Sequence, residues 1–244
     1  MLPQTNLQLY RVLIDRGCDD ASLALVRAAY DLTLALFGNS IRPSQKLFVA
    51  HLVGTAGALV RWDQRVEVVA AGMLHSAYLY GDFRDGRRGA HAARRSQVRA
   101  ILGADAESLI AAYTAADWRR PVRELSDAVA ASTEGRELTT IKLADTWDEV
   151  CDGGPHYAPA KSLGFGAVLG EPAPAALLDL ARRTVSAAAA NDLEREFART
   201  AAFVAPAVLV SGERASRGIH DTRDLLGPST LAQRLAAKVR RLTG

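Results

Sequence analysis

Apolar residues recur at i, i+3, i+4 and i+7 along almost the whole chain, and runs of strictly alternating apolar and polar residues are nearly absent. That period puts an apolar face on one helix after another and leaves no segment patterned as a half-buried strand. The chain is therefore expected to be all-α. Thr5 caps a first helix over about residues 6–15, with Leu7, Tyr10, Leu13 and Ile14 on one face and Gly17 at its end. Asp19 or Asp20 opens a second helix through Leu36, stopped by Gly38. A loop at Arg42, Pro43 and Ser44 leads into a third helix at about 45–60. The fourth, about 66–78, is apolar nearly all round, the pattern of a helix buried on every side. Further helices are predicted at about 105–116, 121–132, 135–150, 175–189 and 192–203, with a terminal one capped by Ser229.

Glycine and proline break the period between Asp152 and Pro174, which divides the chain into a helical body at 1–150, a Gly/Pro-rich linker at 151–174 and a C-terminal helical extension at 175–244 that packs on the core. At 244 residues, 49% hydrophobic and 23% charged, such a chain folds without disulfides or a structural metal. Thirty basic against 27 acidic residues give a net +3, too weak an excess to draw the protein to nucleic acid. Lys46, Lys142, Lys161 and Lys238 are the only lysines, so arginine dominates the bases, as a GC-rich genome would produce. Cys18 and Cys151 are too few for a disulfide framework, and every long apolar run is interrupted before 18 residues. The expectation is a cytoplasmic protein with no membrane segment.

Chemistry concentrates at a few polar residues on apolar helices. His51 sits inside Phe48-Val49-Ala50-His51-Leu52-Val53, and His75 ends the most apolar helix in Gly72-Met73-Leu74-His75-Ser76. Asp145 lies among Leu143, Ala144 and Trp147, where an unpaired carboxylate would be costly. Two imidazoles and one carboxylate form a set able to hold a first-row metal with positions open for water and substrate. Between residues 81 and 99, six arginines, among them Arg84, Arg87 and Arg88, stand against Asp82 and Asp85. The segment reads as an irregular loop entering a new helix; beside a metal site such a loop suits an anionic, phosphorylated substrate, and the plainer reading is a solvated loop. His91 is expected to be exposed, and His220-Asp221, in a polar segment, reads as surface loop. No P-loop, GxGxxG, GxSxG or HExxH motif occurs.

Arg42, His51, the run Ala70-Ala71-Gly72-Met73-Leu74-His75 and then Ile141-Lys142-Leu143-Ala144-Asp145 resemble the HD superfamily, most nearly the hydrolase domain of RelA/SpoT-type alarmone enzymes. The resemblance spans roughly residues 20–150. It implies an HD-domain-like helical bundle with additional C-terminal helices and a single divalent metal (Mn, Zn or Fe) held by His51, His75 and Asp145. It places Arg42 against an anionic small-molecule substrate, with Lys46, Tyr78, Arg84, Arg87, Arg88 and Lys142 as further candidates.

The sequence departs from the family where chemistry is done. Ser76 stands in place of the aspartate next to the second histidine, a trait shared with a group of bacterial HD-like proteins carrying His-Ser-x-Tyr. Leu79 and Tyr80 stand in place of the acidic pair implicated in activating water, and Glu149 in place of an asparagine. Asp82, Asp148 and Glu149 are the candidates to replace the missing carboxylate, and Ser76, Asp148 and Glu149 the candidate catalytic residues; Asp148 and Glu149 lie three and four residues beyond Asp145, on its side of the helix. Three readings stand open. One is a metal-dependent phosphohydrolase, or an iron-dependent oxygenase. Another is a catalytically degenerate domain that holds no metal and binds a small molecule or a protein. In the last, the histidines are merely hydrogen-bonded core residues. A homo-oligomer is compatible with each.

Overall fold

The computed structural model of the protein describes residues 2–118, 132–157, 173–210 and 220–221. Its helices are α1 (Asn6–Asp15), α2 (Asp20–Phe37), α3 (Phe48–Arg61), α4 (Val66–Met73), α5 (Ala77–Tyr80), α6 (Ala92–Ala115), α7 (Thr133–Val150), α8 (Gly154–Tyr157), α9 (Ala173–Thr184), α10 (Ala187–Ala202) and α11 (Ala207–Val210). Among the described residues the protein is all-α apart from a two-residue antiparallel ladder in which β1 (Ser40–Ile41) pairs with β2 (His220–Asp221). His220 and Asp221 thus form a short strand rather than the surface loop expected of them. The predicted helix at 121–132, save Ser132, and the terminal helix from Ser229 lie outside the described residues, as does most of the Gly/Pro-rich stretch. Among the described residues no helix is long and apolar enough to cross a membrane.

Local signals start the helices. Thr5 accepts the Gln8 backbone N–H while the Gln8 side chain accepts that of Thr5, a reciprocal cap on α1. Asp19 accepts from Ser22 at the head of α2, and Ser132 from Gly135 at the head of α7. Where the predicted bounds fail, the reason is local too. The third helix begins at Phe48 rather than Gln45, because Gln45 sits at φ +66° in a turn in which Arg42 accepts its N–H.

The predicted helix at 66–78 breaks at residues 74–76. The His75 ring bonds to the Gly72 carbonyl at 2.7 Å, the acceptor a continuing helix would have offered to Ser76, and α5 restarts at Ala77. The arginine-rich segment is an irregular loop at 81–91 that enters a new helix, as expected. Arg94, Arg95 and Arg99 belong to α6, which kinks at Gly103 (φ +84°). Arg95 and Arg99 reach across that kink to the buried Glu107 at 2.6 and 2.7 Å.

α3 is buried along nearly its whole length and packs against α7, α4, α2 and α1. Residues 68–73 of α4 are all buried, as the all-round apolar pattern anticipates. Leu177, Ala181, Leu193 and Phe197 from α9 and α10 enter the same core as α3 and α4. Trp62 stacks on Trp147 at 5.1 Å, joining the end of α3 to α7. Beside them the buried Asp192 of α10 accepts from Arg61 at 2.7 Å, Trp62 Nε1 at 3.2 Å and Arg195 at 2.7 Å.

Burial pushes the Asp192 carboxyl up, but the Arg61 and Arg195 guanidiniums and the Trp62 indole outweigh it and hold the group below its ordinary value. Its stabilisation is therefore present above the unfolded-state pKa of about 4 and is lost as pH falls through the lower folded value. Asp192→Asn is expected to cost about 2 kcal/mol at pH 7. In urea unfolding, the gap between variant and wild type should narrow as pH is lowered below 4.

Candidate metal centre

Three elements bring the polar residues together inside the core. α3 supplies His51, the turn after α4 supplies His75, and α7 supplies Asp145, Asp148 and Glu149, all five buried. Asp145 Oδ1 faces both histidines, 3.2 Å from His51 Nε2 and 3.6 Å from His75 Nε2. The three ligand atoms of His51, His75 and Asp145 lie within 4.8 Å of one another.

Each ring has its other nitrogen engaged. His75 Nδ1 donates to the Gly72 carbonyl at 2.7 Å, and His51 Nδ1 lies 2.7 Å from Asp148 Oδ2. Both rings therefore turn Nε2 toward Asp145, the orientation that ligating histidines adopt when the opposite nitrogen is held by a carbonyl or carboxylate. His51 Nε2 is buried and, despite its closeness to Asp145, has no hydrogen-bond partner. Buried polar atoms are paired in nearly every native structure, so an orphan on this edge is what an absent ion would leave. Borderline nitrogen and hard oxygen donors in this number suit Zn, Mn or Fe, and the residues fit a single divalent cation.

Asp145, Asp148 and Glu149 each have a cation of their own. Lys142 Nζ donates to Asp145 Oδ2 at 2.7 Å, Lys46 Nζ to Asp148 Oδ1 at 2.7 Å, and Arg42 to Glu149 Oε2. Tyr113 of α6 also donates to Asp145 Oδ2 at 3.1 Å, and its ring lies 5.0 Å from that of His75. Burial raises the Asp145 carboxyl, but Lys142, then His75 and His51, overcome it and hold the group well below the usual carboxylate range. Burial likewise raises Asp148, and Lys46 with His51 bring it below its ordinary value. For His75 burial dominates and pushes the imidazole down to about 4, so it is neutral at pH 7 with its proton on Nδ1. Burial and Asp145 together raise the Tyr113 phenol well above its ordinary value, keeping it a donor.

The other expected residues fall in different places. Asp148 and Glu149 approach His51 through Nδ1, at 2.7 and 4.0 Å, not through the Nε2 edge where water would be activated. Ser76 is buried in the turn after His75, and its carbonyl accepts the Leu79 and Tyr80 N–H groups. Tyr78 points away from the centre: its hydroxyl donates to Glu107 at 3.1 Å and its ring stacks on Phe83. Arg84, Arg87 and Arg88 are exposed. Their loop is tied down by the buried Arg94, which grips Asp85, donates to the Gly89 and Arg87 carbonyls and covers the Phe83 ring at 4.5 Å. His91, expected to be exposed, is partly buried 3.3 Å from Asp85. Asp82, expected among the replacement carboxylates, is exposed and accepts from the Arg84 N–H.

A cleft of about 390 Å³ is bordered by Gln4, Ser44, Lys46, Glu149, Tyr157 and Leu209; none of the three converging residues lines it. Glu149, at its border, has Oε1 buried without a partner, and so has Arg42 its Nε. Sequence reasoning overlooked Gln4, Gly54 and Tyr113. Tyr113 is one aromatic on an amphipathic helix, and Gln4 and Gly54 acquire meaning only once α7 is seen against α3.

Residues 35–118 match a domain of unknown function, DUF6817. The match covers about a third of the chain and includes Arg42, Lys46, His51 and His75, while the carboxylates of α7 lie beyond it. No curated protein matches the chain.

Tyr78→Phe removes one hydrogen bond to Glu107 and nothing from the histidine cluster. It is expected to lower stability in urea by about 1 kcal/mol and to leave the affinity for Zn²⁺ in a direct titration unchanged.

Proposed function

We propose that the protein is a divergent metal-dependent hydrolase of HD type, acting on a phosphorylated or nucleotide-like small molecule. The observation that carries this reading is the convergence of His51 Nε2, His75 Nε2 and Asp145 Oδ1 in the core, with His51 Nε2 left buried and unbonded. These three residues would hold one divalent cation, with Mn, Zn and Fe all compatible with the donor set. Such an ion supplies Lewis acidity: it lowers the pKa of a water and polarises a phosphoryl oxygen.

The residues around the cluster argue for an anionic partner. Lys142, Lys46 and Arg42 balance Asp145, Asp148 and Glu149 one for one. A divalent cation then brings positive charge with no protein carboxylate left to offset it, and an anionic ligand supplies the balance. Arg42, whose Nε is free of any bond, is the cation of this set with a donor to spare for that ligand. Tyr113 and Lys142 hold Asp145 Oδ2 so that Oδ1 stays turned to the histidines.

One observation favours a second reading, a domain that binds its ligand without turning it over. Asp148 and Glu149 meet His51 at its Nδ1, and Asp145, the carboxylate at Nε2, is already engaged by Lys142 and Tyr113. Leu79 and Tyr80, which replace the family's acidic pair, are exposed.

Protein purified without a histidine tag is expected to carry or take up one equivalent of Zn, Mn or Fe, measured by elemental analysis, and His75→Ala and Asp145→Ala should lose it. A screen of phosphomonoesters and nucleotides on the metal-loaded protein, with Asp145→Ala as control, separates hydrolase from binder. Turnover abolished by Asp145→Ala supports the enzyme; metal-dependent binding without turnover supports the second reading. Failure of the wild type to take up any of the three metals after reconstitution rules out the hydrolase and leaves only a domain that binds its ligand without metal.

A further inference from the structure

Asp148 is fully buried, and its two oxygens face different partners. Oδ2 lies 2.7 Å from His51 Nδ1, while Oδ1 accepts from Lys46 Nζ at 2.7 Å and from Gln4 Nε2 at 3.4 Å. A carboxylate with three donors on it has little capacity left for a metal or for a proton from water. Its reach to His51 also depends on a missing side chain. A Cβ on Gly54, one turn along α3 from His51, would stand 1.8 Å from Asp148 Oδ1 and 2.6 Å from its Cγ. Only glycine at that position lets the α7 carboxylate lie against α3 and meet the ring from behind.

We infer that Asp148 is not a catalytic residue but the positioning residue of the centre: with Gly54 as its cradle, it keeps a proton on His51 Nδ1 and so turns Nε2 toward His75 and Asp145. Lys46 and Gln4 hold the carboxylate in that pose, which links the N-terminal segment and the 42–46 turn to the orientation of His51. The inference rests on the metal-centre reading for its consequence, but the proton's position is a property of the protein alone. His75 reaches the same orientation through the Gly72 carbonyl, so the two rings are set independently.

The test follows the His51 ring nitrogens by long-range ¹H–¹⁵N correlation in the metal-free full chain, alongside Zn²⁺ titrations. In the wild type a protected proton is expected on His51 Nδ1. Asp148→Asn should lose that protection and weaken Zn²⁺ binding by about 10–100-fold. Gly54→Ala should do the same with the carboxylate chemically intact, whereas Tyr78→Phe should do neither. A wild type in which His51 carries its proton on Nε2 alone overturns the inference without any variant having to fold. Asp148→Asn with wild-type ring signals and wild-type Zn²⁺ affinity overturns it as well. If the wild type holds the Nδ1 proton through Asp148 but takes up no metal, the positioning stands and the metal-centre reading falls.

Discussion

Three carboxylates within five residues of α7 are carried into the core, and much of the structure is arranged around pairing them there. Asp145, Asp148 and Glu149 are each nearly excluded from solvent. Burial alone would push the Asp145 and Asp148 carboxyls up. Instead Lys142 from the same helix, Lys46 and Arg42 from the turn before α3, and the ring of His51 converge on them. The turn at 42–46, the glycine at position 54 and the placement of Gln4 over α3 all serve that convergence. So does the break after α4, which frees the His75 ring to meet Asp145 rather than follow the helix surface.

Such an arrangement is a poor way to gain stability. Buried ion pairs roughly break even against apolar residues of the same volume, while losing one partner is strongly destabilising. Neighbouring parts of the fold show what this chain does when stability alone is at stake: α4 is apolar on every side, and Trp62 stacks flat on Trp147. The charged layer between α3 and α7 has a different character. Three of its buried polar atoms, His51 Nε2, Glu149 Oε1 and Arg42 Nε, have no hydrogen-bond partner; outside it the same holds of Trp147 Nε1, His91 Nε2 and Thr184 Oγ1. Polar groups held ready and left unmatched are the mark of a site that is completed by something else.

How much of this the sequence disclosed depended on the range of the signal. Helices with a side-chain cap were legible almost to the residue in their bounds, as α1 was through Thr5 and Gly17, but its face was misjudged: Leu7 and Ile14 are exposed, and Leu9 with Leu13 carries the burial. Breaks made by tertiary or side-chain competition were not: the His75 ring taking the Gly72 carbonyl leaves no trace in a pattern that reads as continuous helix. His51, His75 and Asp145 stood out because polar residues on apolar faces are costly and because their order resembles the HD superfamily. Asp148 was legible as a neighbour of Asp145, three residues on, yet helical spacing cannot tell which nitrogen of a ring on another helix it will meet. Tyr78 matched a motif and turned instead to Glu107, a residue whose charge is recruited by Arg95 and Arg99 across a glycine kink. The basic loop shows the limit of composition. Its arginines were countable, but the buried Arg94, folded back onto Asp85 and Phe83, is what gives the segment its shape.

The most direct test of the centre is crystallographic: an anomalous difference map from crystals of the wild-type protein grown with Zn²⁺, recorded on both sides of the zinc edge. A single edge-dependent peak enclosed by His51 Nε2, His75 Nε2 and Asp145 Oδ1, with Asp148 still behind His51 Nδ1, is the expected result. A map with no peak there, or with zinc on Cys151 and Asp152 at the cleft instead, would contradict the assignment of these three residues as a metal centre.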